Sequence, residues 1–273
     1  MMAQRKFYFN KNEFYEISLS IGLFWFLSLV LVKIFGGELN TIIKILYACG
    51  AFIIFFNKPI FLFGLFYILT LTSQLFDGNI FFIYFDKGIT DEALTNLSNY
   101  LGYASVLIIL IKEKFYNFKF YRIDLYLIFF LALMFLTGIF SETPENMFSF
   151  MNRMLQFVIV FIVIRIFIKN EKNIEKFFYL NLFSSIIVLA ALVWQYFTGY
   201  IGRAHLAFTA LPFFIGFMMI NESKKYKWII ICFIATFILF FSESRRMFIG
   251  ASVMWIMFIN DYLKNVSKHK KIL

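Results

Sequence analysis

The chain has 273 residues, of which 62% are hydrophobic and only 15% charged, with 42 phenylalanines. Soluble domains are close to half apolar, so this composition excludes a water-soluble globular protein and implies a polytopic membrane protein. A net charge of +10 would suggest nucleic acid in a soluble chain, but here most basic residues fall in connections between apolar runs, so no nucleic-acid partner is expected.

With 3 prolines and 13 glycines there is no Pro/Gly-rich linker, and no repeat is visible. One integral domain over 1–273 is expected: a cytoplasmic N-terminus (1–16), a helical bundle (17–260) and a basic cytoplasmic tail (261–273). The run after MMAQRKFYFNKNEFYE is too long for a signal-peptide core and lacks a small-residue cleavage site, so the first span is expected to be retained. Cys49 and Cys232 are lone residues in apolar runs, read as core packing; no metal site and no cofactor is expected.

A span needs about 20 mostly apolar residues. That rule predicts an all-α bundle with about ten helices, at 17–35, 40–56, 59–76, 96–111, 124–140, 151–168, 177–197, 204–220, 227–241 and 246–260. Lys and Arg gather on the cytoplasmic side of membrane proteins. Most of the 26 basic residues, among them Lys58, Lys112, Arg165 and Lys176, lie on one side of this alternation, which gives an N-in/C-in topology. The inner stretches KEKFYNFKFYR and KNEKNIEK and the tail KNVSKHKKIL are read as orienting charge. The longest outer segment, FDGNIFFIYFDKGITDEALTN (76–96), is expected to hold an interfacial or re-entrant piece in its FFIYF core.

In this topology the sixth, eighth and tenth helices start on the outer side, and each carries arginine at its start: Arg153, Arg203, and Arg245 with Arg246. A cation at a helix N-terminus is disfavoured by the macrodipole, so helix stability does not explain the pattern. A phosphate or pyrophosphate bound among them does, because free backbone N–H groups and guanidinium forks both suit it. The bland alternative is that these arginines snorkel to headgroups or pair with Glu142, Glu145 and Glu243. Trp194, Tyr196 and Tyr200 precede Arg203 and suit either interface anchoring or stacking on sugar rings. His205 is a candidate general base for an acceptor hydroxyl, with Glu243 and Glu142 as alternatives; a hydrogen-bonded structural histidine and arginine-partnering glutamates are the competing readings. Pro212 would bend the eighth helix beside a groove.

The stretch YIGRAHLAFTALPFFIGF (200–217), followed by LFFSESRRMFIGASV (239–253), resembles the central part of the O-antigen ligase and O-antigen polymerase family, the matching residues being Arg203, Pro212, Ser244, Arg245 and Gly250. The resemblance implies metal-independent glycosyl transfer at the outer face of the bacterial cytoplasmic membrane, as in lipopolysaccharide and other polysaccharide biosynthesis. The donor would be an undecaprenyl-pyrophosphate-linked oligosaccharide and the acceptor a sugar hydroxyl. Family members continue into a large external loop with further arginine and histidine, whereas this sequence stops at Leu273. Either His205 or a glutamate then substitutes for that loop, or the chain is a short member with impaired activity. Two other readings stay open: a flippase or transporter of an anionic lipid-linked sugar, and a non-catalytic membrane partner in polysaccharide assembly.

Overall fold

The computed structural model of the chain describes residues 9–35, 41–72, 78–80, 83–85, 89–112, 121–140, 154, 158, 161, 165, 171–197, 211–212, 215–216, 225–241 and 245–270. The described residues contain eight long helices: α1 (Lys11–Phe35), α2 (Thr41–Phe55), α3 (Pro59–Thr72), α4 (Ile89–Lys112), α5 (Arg122–Ile139), α6 (Glu171–Phe197), α7 (Lys225–Phe241) and α8 (Arg245–Lys270). Two three-residue strands, β1 (Gly78–Ile80) and β2 (Ile83–Phe85), pair antiparallel with Ile80 opposite Ile83. The described residues are thus helical apart from one small hairpin. Among the described residues three helical segments are long and apolar enough to cross a membrane: α1, α5 and the Asn173–Trp194 part of α6.

Two helices run beyond the bounds that hydropathy predicts. The Ile83–Phe85 part of the expected FFIYF piece is a strand paired with Gly78–Ile80, and α4 begins at Ile89, inside the segment expected to be an outer loop. β-branched and aromatic residues favour strand there, while Glu92, Ala93 and Leu94 propagate a helix well before the sequence turns apolar. Likewise α8 runs to Lys270 through the expected tail, because no Gly or Pro interrupts it after Gly250. Apolar runs mark the part of a helix that lipid can cover, not where the helix ends.

The chain divides into two compact units, Met1–Leu19 with Leu71–Asp91 and Lys176–Leu273, and Ser20–Thr70 with Glu92–Glu175. In the second unit α3 is enclosed on all sides, with Leu62, Phe63, Leu65, Phe66, Ile68 and Leu69 fully buried. There α1 and α2 are joined by a polar triangle: Tyr47 Oη lies 2.8 Å from Ser28 Oγ, and both hydroxyls lie 2.8 Å from the Phe24 carbonyl. Hydroxyls that would otherwise face hydrocarbon are satisfied by closing on a backbone acceptor. In the first unit the fully buried Tyr179 of α6 is the hub. Its hydroxyl accepts the Asn10 N–H at 2.8 Å, and the rings of Phe9 and Phe14 pack on it edge-on. Lys176 and Glu13 pair beside it at 3.8 Å.

Candidate functional site

Of the expected anion cradle, Arg153, Arg203, His205, Glu142, Glu243 and Tyr200 lie outside the described residues. Arg245 and Arg246 open α8, whose first turn contains no acid. Neighbouring positions on a helix are about 100° apart, so the two arginines cannot face one ligand together. The start of α8 is set by its packing on α7. Trp255 donates its indole N–H to Thr236 Oγ1 at 2.9 Å, its ring lies 5.1 Å from that of Phe233, and the connection is only residues 242–244.

The expected sugar-stacking residues fall near the end of α6. Trp194 is half-buried, with its indole N–H enclosed by protein. The side chain of Tyr196 lies outside the described residues. Leu211, Pro212, Ile215 and Gly216 are helical, as predicted for the eighth span. A Cβ at Gly216 would meet the Phe178 ring of α6 at 3.9 Å, which puts this short stretch against α6.

The structure also brings together residues that the apolar-run rule passes over. Asp124, buried in the first turn of α5, accepts the Tyr121 N–H at 2.6 Å on one oxygen and pairs with Arg165 through the other. The Arg165 guanidinium lies 4.4 Å from the centre of the Tyr121 ring. A carboxylate at the third helical position reaching back to the N-cap is half of a capping box, and that spacing was readable from Tyr121 and Asp124. Its partner was not, because Arg165 reads as one more orienting charge.

A second group sits on α6. Asn181, Ser184 and Ser185 are all buried and occupy one helix face by their three- and four-residue spacing. Asn181 Nδ2 donates to the Phe177 carbonyl at 2.7 Å, which fixes the orientation of the amide and leaves Oδ1 enclosed without a donor. Ser184 Oγ returns its proton to the Leu180 carbonyl at 2.9 Å. Among the described residues no three His, Cys, Asp or Glu side chains gather closely enough to hold a metal ion.

Comparison with known proteins adds no assignment: no protein-family model, curated protein or solved structure matches the chain.

Proposed function

We propose that this chain is a membrane glycosyltransferase with about ten spans, N-in and C-in, resembling the O-antigen ligases and polymerases. Arg203, Arg245 and Arg153 hold the pyrophosphate of a polyprenyl-linked glycan at the outer face, Arg245 rather than Arg246 being the one of the adjacent pair that faces it. His205, or Glu243 or Glu142, takes the proton of the acceptor hydroxyl. Preorganised donors at a leaving pyrophosphate supply the largest part of such catalysis. The observation that carries the reading is arginine at three predicted helix starts on one side of the membrane, and α8 beginning at Arg245 supports one of them.

Contacts within each unit support the topology. Asn10 and Glu13 meet Tyr179 and Lys176, so the starts of α1 and α6 lie together. Lys112 at the end of α4 meets Asn57 in the α2–α3 turn, and Asp124 at the start of α5 meets Arg165. Every one of these pairs joins ends that the alternation assigns to the inner side.

The deciding experiment measures glycan extension or attachment in cells carrying Arg203→Ala or Arg245→Ala. Loss of about 100-fold or more is expected for each; normal glycan at normal protein level overturns the reading.

A second reading, transport of a lipid-linked sugar, is favoured by Asn181, Ser184 and Ser185. They lie near the middle of the Asn173–Trp194 segment, where a crossing path would need polar groups. Vectorial movement of a labelled lipid-linked sugar across vesicles, with no new glycosidic linkage, would select it.

A further inference from the structure

We propose that Thr236 is a positioning residue for the pyrophosphate site: by holding Trp255 it fixes the rotation of α8, and so sets position 245 rather than 246 toward the ligand. The proposal rests on the glycosyl-transfer reading and extends it to α7, which contains no arginine. Thr236 Oγ1 donates to the Cys232 carbonyl one turn back at 2.8 Å, so its proton is committed and a lone pair is left for an outside donor. The Trp255 indole N–H is that donor, at 2.9 Å, and the Trp255 ring lies 5.1 Å from the Phe233 ring. Ala235, next to Thr236, and Ala251, one turn before Trp255, are fully buried, as the close approach of two helices requires.

Both groups lie in the apolar parts of their helices, Lys227–Ile238 and Phe248–Asn260. Hydrocarbon offers an indole N–H no other acceptor, so the bond persists where water would compete for it. The connection 242–244 is too short to let α8 slide far along α7, but it leaves the rotation of α8 to the side chains between the two helices. α8 is continuous from Arg245 through Trp255, so the angle fixed at Trp255 is transmitted to the first turn. Consecutive helix positions are about 100° apart, and a rotation of about half that angle exchanges which of 245 and 246 comes nearer a given point.

The test measures glycan extension or attachment in cells carrying Arg245→Ala or Arg246→Ala, at matched protein level, in the parent chain and together with Thr236→Val, which keeps the side-chain shape and loses the hydroxyl. In the parent, Arg245→Ala should be about 100-fold more damaging than Arg246→Ala. With Thr236→Val that ratio should fall about tenfold, whereas a general loss of stability would lower both activities alike and leave the ratio unmoved. Trp255→Phe, which loses the donor, should lower the ratio in the same way, and Thr236→Ser, which restores the hydroxyl, should keep the parent value. A ratio unchanged by both Thr236→Val and Trp255→Phe overturns the positioning role and leaves Arg245 as a pyrophosphate ligand. An equal fall with Thr236→Ser also overturns it, since packing rather than the hydrogen bond would then set the angle. Normal glycan with Arg245→Ala in the parent overturns the glycosyl-transfer reading, and the positioning role with it.

Discussion

α5 and α6 both carry segments apolar enough to cross a membrane, yet 11% of the α5 segment and 56% of the α6 segment is buried in protein. The buried positions explain the difference. α5 buries only Asp124, Met134 and Gly138, while Tyr126 and Phe129 are 69% and 63% exposed. α6 buries Tyr179, Asn181, Ser184 and Ser185 along with its apolar neighbours. Lipid is as apolar as leucine, so an apolar side chain gains little by choosing protein over membrane. Polar and small groups gain much, because only protein offers them partners. On α5 and α6 the inward face includes the few polar positions, Asp124 on the one and Asn181, Ser184 and Ser185 on the other.

The comparison breaks most visibly at Asp124. Asp124→Leu leaves Arg165 without its carboxylate and should destabilise the chain by about 3 kcal/mol, read by unfolding in detergent. Asp124→Leu/Arg165→Met should recover most of that loss; failure to recover would mean that the pair is not what anchors α5. On α6, Leu180→Ala empties a fully enclosed site and should cost about 3 kcal/mol, whereas a cost under about 0.5 kcal/mol would show that α6 is not interior. Tyr179→Phe removes the acceptor for the Asn10 N–H and should cost about 1 kcal/mol. Smallest of all, Phe129→Leu on α5 should lie within about 0.5 kcal/mol of wild type, since it exchanges one lipid-facing apolar group for another. A larger penalty would show protein covering that position.

Helix existence was legible because a bilayer demands long apolar runs, and the eight long helices of the described residues overlap such runs. Helix ends were not, since α4 and α8 continue on propensity through Glu92–Leu94 and Asp261–Lys270, where hydropathy gives no signal. Of the candidate site, the sequence located Arg245 at a helix start, and the structure agrees. The Asp124–Arg165 pair was hidden for a different reason. Positive charge near a span end has an orienting explanation that needs no partner, so Arg165 raised no question until the fold placed a buried carboxylate against it. Asn181 was hidden by averaging, because one amide among leucines and phenylalanines barely alters a twenty-residue window.

The tight α2–α3 turn has a consequence for how the chain enters its membrane. With 15 and 14 residues, each helix is about 22 Å long at about 1.5 Å per residue, short of the ~30 Å hydrocarbon layer. The turn between them is too short to let one insert without the other. The pair must enter as a single hairpin. Because neighbours enclose α3 on every side, its final seat is reached by assembly with protein rather than by partitioning into lipid, which makes α3 a late arrival in biogenesis.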